Sequence, residues 1–494
     1  GEFQPIPEIQ GINAGLTPGS GDRFDPAMWD GIFFLNSSKA AYDNLLVRHI
    51  PPGFSSQFID FKFIPDQLVF AEPIQLEATA SSGLPVSFEL VEGPATLSGS
   101  ILTLTGDPGI VKVRATQEGD GTQWQAAPPV TRTFEVVDPE DYTPEITIRR
   151  PYDGTMVYMP NLDNPIILVI SAYIEHGDAI KFENVTCDVD GQTIKMETSY
   201  PDDPTNGYWY ASWTPSQFGS HNMTVTIEQS GGKTTSVNNT FEVTDSYDNV
   251  NVTAMNGELV ISPSAQTVYS EYVFPSHVNS FNEIAMNYYH NCVGVCDPYD
   301  RAGHCRVKNY RGEWVELYRY ITPFGVECDD NLIVTDYTTV LQGLVEFEVY
   351  FQTWDGSGYN PTLTFDFTKG TPDYKYIDMN ELWFGVYDFG DYANQQPVPE
   401  IDFEFPYATE KANLKIITTG HNWSSGTNNA YNTGNAAEFY EATHNININD
   451  ELVYTQHLWR DCEPNPAGCQ PQNGTWIYDR SGWCPGSIAM VWDY

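Results

Sequence analysis

Hydrophobic and polar residues alternate with a period of two along much of the chain, in short runs that glycine and proline separate. Such alternation predicts half-buried β-strands. Helical spacing is nearly absent, and the best candidate for a helix is the short stretch Ala40–Arg48. The pattern predicts an all-β protein. Five of the predicted strands lie between Phe58 and Val137: Ile74–Ala78, Val86–Leu90, Ile101–Thr105, Ile110–Arg114 and Thr133–Val137.

The predicted strands group into successive units. Residues 1–55 are rich in proline and glycine and are predicted to be a lead-in segment, and residues 56–140 are predicted to form an immunoglobulin-like sandwich. A linker follows, and a second sandwich is predicted over residues 141–246, where Thr240–Thr244 echoes Thr133–Val137. Beyond residue 246 aromatic residues become dense, and seven of the eight cysteines lie there.

The sharpest alternation lies in Val345–Trp354. One face of this predicted strand carries Phe347, Val349 and Phe351, which we expect in a core. The other face carries acids, an amide and aromatic rings, which are typical of a carbohydrate-binding groove. A solvated sheet face is the alternative. The residues of that face are Glu346, Glu348, Tyr350, Gln352 and Trp354.

The net charge is −43, from 66 acidic and 23 basic residues. A surface this acidic repels nucleic acids and anionic membranes, so neither is an expected partner. The longest apolar run, Pro165–Tyr173, is too short to span a bilayer. We therefore expect no membrane span.

The eight cysteines, an even number, favour an oxidising compartment. We therefore expect a secreted protein that is extracellular, periplasmic or at the cell surface. A Cys292–Cys296 disulfide would close a small ring just before Asp300 and Arg301, and hold them at the start of a strand, His304–Lys308. A general base needs such fixed placement. The alternative is that Asp300 and Arg301 are ordinary polar residues of a turn beside a structural disulfide.

A zinc site is a second alternative for this segment. Its ligands would come from a set of five residues. Two of them, His304 and Cys305, are adjacent and would point to opposite faces of a strand, which does not suit a shared metal. The set is His290, Cys292, Cys296, His304 and Cys305.

Residues 270–494 resemble peptide:N-glycosidase F, an amidase family that cleaves between asparagine and the innermost N-acetylglucosamine of N-glycans. The blocks that carry the resemblance run in the same order as in the family. They are Cys296–Arg301, Gly312–Pro323, Gly370–Tyr376, Thr409–Ala412, Gly420–His421, Ala437–Glu438, Thr443–His444 and Asp479–Gly486.

The resemblance implies two jelly-roll sandwiches side by side, residues 247–372 and 373–494, with the active site between them. It places Asp300 on the essential aspartate that acts on the attacking water, and Glu438 on a second acid that organises substrate and water. It implies neither a metal nor an organic cofactor. The positions it assigns to contact with the glycan are Tyr299, Arg301, Trp354, Arg480 and Trp483.

The chemistry of amide hydrolysis agrees with these assignments. The reaction needs a base for water, and Asp300 would supply it. It also needs a donor for the oxygen that becomes negative, and Arg480 would be a suitable cation. The sequence has no Gly-x-Ser-x-Gly elbow, no His-Glu-x-x-His and no P-loop.

The sequence departs from the family at several points. Gln352 replaces a third acidic residue of the catalytic set, and a neutral amide keeps hydrogen bonds but cannot take a proton. The cystine that flanks the second acid is missing, with Ala436 and Tyr440 in its place. Further disulfides are predicted as Cys305–Cys328 and Cys462–Cys484.

The family continues beyond the last matching block with strands that complete the second sandwich, whereas this sequence ends at Tyr494. We therefore expect either a separate C-terminal fragment that completes the sandwich or a longer native gene product.

The sequence leaves four candidate functions. The first is hydrolysis of the asparagine–N-acetylglucosamine amide of N-glycosylated proteins or glycopeptides. The second is N-glycan binding without catalysis, because of Gln352. The third is a related amidase with a different glycan or aglycone. A copper monooxygenase is the fourth, although the sequence shows no His and Met set for the metal.

Overall fold

The computed structural model describes residues 54–201, 206–355, 358–387, 396–405, 409–421 and 437–494. The predicted helix Ala40–Arg48 lies outside these residues. Strands dominate the described part of the chain, which confirms the all-β prediction. Within these residues, no helix combines the length and apolar character that crossing a bilayer would require.

The chain is divided into two compact units. The first ends at Thr143 and also contains Glu175–Lys181. Its strands are β1 (Ile59–Phe61), β2 (Gln67–Leu68), β3 (Ile74–Gln75), β4 (Ala78–Ala80), β5 (Ser87–Glu92), β6 (Ala95–Ser98), β7 (Ile101–Leu104), β8 (Gly109–Thr116) and β9 (Val130–Val137).

These strands form sheets in the orders β2-β9-β8-β5, β3-β7-β6 and β1-β4. Leu102, Val111 and Phe134, from two different sheets, are buried in one core, as in a sandwich. The predicted strand Ile74–Ala78 is divided between β3 and β4, because the first part pairs with β7 and the second with β1. The other predicted strands of this unit are confirmed.

The second unit begins with a sandwich of long antiparallel strands, called here the second sandwich. Its strands are β10 (Glu145–Arg150), β11 (Met156–Tyr158), β12 (Ile166–Tyr173), β13 (Phe182–Val189), β14 (Gln192–Lys195), β15 (Glu197–Thr198), β16 (Gly207–Trp213), β17 (Gly219–Gln229) and β18 (Thr234–Thr244). They form sheets in the orders β10-β12-β16-β15 and β14-β13-β17-β18-β11. The apolar run Pro165–Tyr173 is β12, at the centre of the first of these sheets.

A third sandwich follows in the same unit. Its strands are β19 (Val250–Asn256), β20 (Thr267–Phe274), β21 (Ser276–His277), β22 (Phe281–His290), β23 (Ala302–Lys308), β24 (Trp314–Ile321), β25 (Cys328–Ile333), β26 (Gly343–Phe351) and β27 (Thr362–Lys369). One sheet has the order β19-β27-β22-β25 and the other β20-β26-β23-β24. Phe347, Val349 and Phe351 of β26 are fully buried between them, as the alternation predicts.

The second and third sandwiches are closely joined. Strand β21 pairs with β11 and so extends a sheet of the second sandwich. Arg149 forms ion pairs with Glu271 and Glu346 across the junction. Gly343 has a positive φ of 69°, and a Cβ there would overlap the carbonyl oxygen of Arg149. Glycine is therefore required where the two backbones meet.

The C-terminal region contains shorter strands: β28 (Lys415–Ile416), β29 (Ala442–Ile448), β30 (Glu451–Leu458), β31 (Ser487–Ile488) and β32 (Trp492–Asp493). Strand β31 adds to the edge of the third sandwich beside β24, while β29 pairs with β30 and β28 with β32. Single 3₁₀ turns are at Pro139–Asp141, Thr335–Thr339 and Ala437–Phe439. The jelly-roll topology implied for residues 247–494, and the five-part domain division, stay predictions.

Candidate active site

The loop before β23 is held by the Cys292–Cys296 disulfide, as predicted. The two thiols that the zinc alternative needs are therefore bonded to each other. Within the described residues, no group of three His, Cys, Asp or Glu side chains has the spacing of a metal site.

Asp297, directly after the disulfide, is the centre of the loop. Its carboxylate is almost fully buried and accepts hydrogen bonds from the backbone N–H of Tyr299 at 3.0 Å and from Nε of Arg301 at 3.0 Å. The backbone N–H of Asp355 also donates to it, at 3.3 Å. A buried charge with several donors fixes the backbone around it. The residues that follow, Asp300 and Arg301, are therefore held in place.

Arg301 lies between two aromatic rings. Its guanidinium carbon is 4.5 Å from the ring centre of Trp354 and 4.9 Å from that of Tyr299. A second carboxylate, Asp355, accepts from Nη2 at 3.1 Å. Trp354 and Tyr299 are 60% and 53% exposed, so large parts of their surfaces remain free for a ligand. The structure thus brings three of the predicted contact residues into one exposed aromatic platform.

Gln352 lies beside this platform. Its backbone N–H donates to the carbonyl oxygen of Ala302 at 3.0 Å, which continues the pairing of β26 with β23. Asp300 is two residues before Ala302, so Gln352 and the Asp300 loop are neighbours along the sheet. The side chain of Gln352 is half-buried.

The rest of the β26 face differs from the expected open groove. Glu346 forms ion pairs with Arg149 at 2.6 Å and Lys308 at 2.7 Å, and Glu348 contacts His304 and Arg306. These acids are half-buried in ion-pair networks, and the second sandwich supplies Arg149. Along most of its length this face is therefore neither a solvated surface nor an open groove for a ligand. Its end at Gln352 and Trp354 lies nearest the candidate site.

Glu438 comes to the site from the C-terminal region. It lies in the 3₁₀ turn Ala437–Phe439 and is half-buried. Its backbone carbonyl accepts a hydrogen bond from the N–H of Ser481 at 2.8 Å, and Ser481 Oγ donates to the carbonyl of Tyr440. These bonds attach the Glu438 turn to the segment that carries Arg480.

Arg480 connects the two acids. Its Nη2 is 3.6 Å from the carboxylate of Asp300, and its charge also acts on Glu438. Nη1 donates to the carbonyl of Tyr478 at 2.6 Å and Nη2 to Thr475 Oγ1 at 3.1 Å. The guanidinium is therefore held by fixed partners beside the carboxylate of Asp300.

The electrostatics of the acids follow from burial. Desolvation raises the pKa of Asp300, and the positive charges of Arg480 and Arg301 partly oppose this rise. Desolvation also raises the pKa of Glu438, to about 7, and the negative charge of Asp300 adds to the effect while Arg480 opposes it. Burial thus raises the pKa of both acids, and perturbed acids of this kind are common in sites of acid–base chemistry.

Two of the predicted contact residues do not reach the surface. Arg480 and Trp483 are both 0% exposed. Trp483 lies 4.8 Å from the guanidinium carbon of Arg480, donates its indole N–H to the carbonyl of Gly420 and stacks on His421. Neither side chain presents surface to a ligand. Arg480 instead pairs with Asp300, and Trp483 packs against Arg480.

The sequence reasoning missed the residues that hold the site together. Asp297 is the most important, and its separation of four residues from Arg301, directly after a cystine, is a signal that was available. Thr322 accepts from the N–H of Arg301 and donates to the carbonyl of Tyr299. Phe439, against the guanidinium of Arg480, also belongs to this support. No local pattern indicates the last two contacts.

The predicted disulfides have a mixed outcome. Cys462–Cys484 is confirmed. Cys305–Cys328 is wrong, because Cys328 is bonded to Cys469. Cys305 is free and fully buried on the core side of β23. Its side chain points between the sheets of the third sandwich.

A comparison with known proteins identifies the region that carries the site. Residues 388–494 match the family model described as Peptide-N-glycosidase F, C terminal. A longer stretch, 238 residues, is 33% identical to Peptide-N(4)-(N-acetyl-beta-D-glucosaminyl)asparagine amidase F of Elizabethkingia miricola. The C-terminal part of this chain is similar to the peptide:N-glycosidase F family. The match covers 45% of this chain and 65% of that relative, so the chain spans about two thirds of the relative's length.

Solved structures of the glycosidase F family are also similar. PNGase F of Flavobacterium meningosepticum, described as a glycosylasparaginase, is 28% identical, with a TM-score of 0.42 over 50% of this chain and 83% of that chain. A structure of PNGF-II is 13% identical, with a TM-score of 0.31 over 83% of this chain and 91% of that chain.

Proposed function

We propose that the protein hydrolyses the amide bond between asparagine and the innermost N-acetylglucosamine of N-glycans on glycoproteins or glycopeptides. The products are aspartate in the polypeptide and a glycosylamine. The observation that carries the proposal is the ion pair of Asp300 with Arg480, on a loop that also carries the exposed ring of Tyr299 and lies next to that of Trp354. The Glu438 turn is attached to the Arg480 segment, and the charge of Glu438 interacts with both groups. Similarity of the C-terminal part to the peptide:N-glycosidase F family and the amidase name of the relative support it.

In the proposed mechanism Asp300 is the general base. It takes a proton from water, whose oxygen then attacks the side-chain carbonyl of the glycosylated asparagine. Breakdown of the tetrahedral intermediate cleaves the C–N bond. Asp300 gives the proton to the nitrogen, which leaves with the sugar as a glycosylamine. A placed general base accelerates such a step by about 10²–10⁴-fold.

Glu438 is assigned to the orientation of water and substrate. Its ionised carboxylate accepts a hydrogen bond from the attacking water, on the side of the site opposite the disulfide loop. Gln352, where the family has an acid, is assigned to hydrogen bonding alone, because an amide does not titrate.

Arg480 and Trp483 are assigned to positioning. A guanidinium without exposed surface does not donate to the oxygen of the intermediate directly, so the oxyanion role that we expected for Arg480 is not part of the proposal. Its charge instead favours the ionised forms of the two acids, and Trp483 holds it in place.

The aromatic platform is assigned to the glycan. Trp354 and Tyr299 are exposed rings held rigidly against Arg301, and such rings stack on the apolar faces of sugars. Three disulfides are consistent with an extracellular or cell-surface location, where N-glycoproteins are accessible.

Glycan binding without catalysis is the second candidate, and the observation that favours it is Gln352 in place of an acid. One experiment separates the two. A denatured N-glycoprotein is incubated with the protein, and the peptides are examined by mass spectrometry for conversion of asparagine to aspartate. We expect conversion with the wild type and its loss in Asp300→Asn. Retention of the glycoprotein without conversion by the wild type would support the binding function and refute the amidase.

A further inference from the structure

A polar crevice lies within the second unit, away from the candidate active site. It is lined on one side by Arg150, Pro165 and Ile167 of the second sandwich. The other side consists of residues from the third sandwich and the segment after it. The crevice holds about 320 Å³ of empty space, part of it open to solvent. The residues on the second side include His277, Thr338, Thr339, Gln342, Lys375 and Tyr376.

Arg150 is the unusual group of this crevice. The described chain has four buried arginines, and three of them, Arg149, Arg311 and Arg480, have a carboxylate within 4 Å. Arg150, at 4% exposure, forms no such pair with any described residue. Its Nη2 donates to the backbone carbonyls of Thr339 at 2.9 Å and Gln342 at 3.2 Å. Those bonds satisfy donors but leave the positive charge unbalanced.

Two of the residues that line the crevice have a buried side-chain nitrogen without a hydrogen-bond partner in the described chain. Nε of Arg150 is buried and has no hydrogen-bond partner in the described chain, and the same is true of Nε2 of His277. Both residues are 4% exposed. A buried polar atom without a partner is costly, and such atoms are rare in folded proteins. Two of them in one crevice, next to an unbalanced charge, indicate that something occupies the space.

The charges of the crevice select the sign of that ligand. Its lining contains Arg150 and Lys375 and no aspartate or glutamate, although the whole chain has a net charge of −43. Lys375 is exposed and lies 3.4 Å from Asn164 Oδ1, which places a second cation near the opening. Burial lowers the pKa of His277 to about 3, so this ring remains neutral and donates through a single N–H.

We propose that this crevice binds a small monovalent inorganic anion, of which chloride is the physiological example. One buried positive charge is balanced by one negative charge. The free N–H of Arg150 and a ring N–H of His277, in the tautomer that carries its proton on Nε2, suit a spherical halide, whereas a tetrahedral oxyanion would leave several of its oxygens without donors. The bound anion joins a strand end of the second sandwich to the 3₁₀ turn Thr335–Thr339. This inference does not rest on the proposed amidase activity.

Thermal unfolding of the full chain in sodium chloride and in sodium gluconate, at equal sodium concentration, tests the site. Chloride should raise the wild-type unfolding midpoint by about 2–4 °C, with a dependence on concentration that saturates. In Arg150→Met the difference between the two salts should disappear. Arg311→Met is the matched control, because that buried arginine is already neutralised by Asp378 and Glu313. It should lower the midpoint but keep the chloride effect.

Two further measurements apply even where Arg150→Met does not fold. His277→Phe keeps a ring against Phe281 and Phe367 but removes one donor, so it should shift the chloride dependence to higher concentration. Crystals of the wild type soaked in sodium bromide should show an anomalous peak between Arg150 Nε and His277. Identical unfolding in the two salts, together with no bromide peak at this position, would show that only water occupies the crevice and would overturn the proposal.

Discussion

The guanidinium of Arg480 lies 3.6 Å from the carboxylate of Asp300, in a position with no exposure to solvent. Arg480 is at the C-terminal end of the chain and Asp300 follows the first disulfide loop, so the contact joins two distant parts of the sequence. Desolvation raises the pKa of Asp300 and lowers that of Arg480, which means that burial opposes the ion pair. Such a pair is maintained by its surroundings, as is common in active sites.

Glu438 should make the activity depend on pH near neutrality. Its pKa is about 7, so the carboxyl is mostly protonated below this value and mostly ionised above it. Because the ionised form accepts the hydrogen bond from water, the rate should rise with pH through about 7. In Glu438→Gln this rise should be absent, since the amide does not titrate. The measurement is kcat/KM against pH for both proteins. A wild-type rate that falls through pH 7 would instead assign the working role to the protonated acid.

Trp354 should contribute to substrate binding more than to the chemical step. Trp354→Ala removes an exposed ring that Arg301 holds in place and that is assigned to stack on a sugar. Because a stacked ring contributes about 0.5–1.5 kcal/mol to binding, KM should rise by about 2–10-fold with a smaller change in kcat. Trp354→Phe should restore most of the loss. The control is Tyr173→Ala, an exposed aromatic of the second sandwich, which should leave KM unchanged. An equal loss of kcat in Trp354→Ala with unchanged KM would contradict the platform assignment.

Asp297 should be important for stability although it is not assigned to contact the substrate. Asp297→Asn removes a buried charge that accepts from Arg301 and from two backbone N–H groups, and should cost about 2–4 kcal/mol of unfolding free energy. Asp355→Asn is the control. Its carboxylate pairs with the same arginine but is 56% exposed, so the change should cost less than about 1 kcal/mol. Urea unfolding measures both, and equal losses would mean that burial at Asp297 is not decisive.

The long-range disulfide should be the more important of the two bonds in the C-terminal region. Cys328 and Cys469 are separated by 141 residues, and a crosslink over so long a loop contributes about 2–5 kcal/mol. The double change Cys328→Ala and Cys469→Ala should therefore lower the unfolding midpoint by several degrees. Non-reducing peptide mapping should recover Cys328 linked to Cys469 and Cys305 as a free thiol. A peptide that links Cys305 to Cys328 would contradict the structure.

Local pattern was sufficient for those features of the fold that depend on neighbouring residues. The alternation in Val345–Trp354 placed Phe347, Val349 and Phe351 in the core correctly, because a strand's two faces follow from its period alone. The Cys292–Cys296 bond was predictable for a similar reason, since only three residues separate the cysteines. The short match between Thr133–Val137 and Thr240–Thr244 identified the last strands of two sandwiches.

Features that depend on distant contacts were not predictable in this way. Cys305 and Cys328 are neighbours in sequence order, but β23 turns the first thiol into the core, and the chain returns 141 residues later to bring Cys469 to the second. Trp483 looks like a contact residue in sequence and is fully buried, because Gly420 and His421 pack against it. Glu346 and Glu348 of β26 form ion pairs with basic side chains, and one of these, Arg149, belongs to the second sandwich. None of these contacts has a local signature.

Hydrolysis in water enriched in ¹⁸O is the most direct test of the central claim, that Asp300 directs water against the asparagine side-chain carbonyl. A defined N-glycopeptide is incubated with the wild type, with Asp300→Asn and with Asp329→Asn, an exposed acid used as the control. We predict ¹⁸O in the new aspartate for the wild type and Asp329→Asn, and a rate at least about 10²-fold lower for Asp300→Asn. The glycan, sampled before its glycosylamine hydrolyses, should carry nitrogen and no solvent oxygen at its first carbon. The account would be contradicted by ¹⁸O in the released sugar with N-acetylglucosamine left on the peptide, or by full activity of Asp300→Asn.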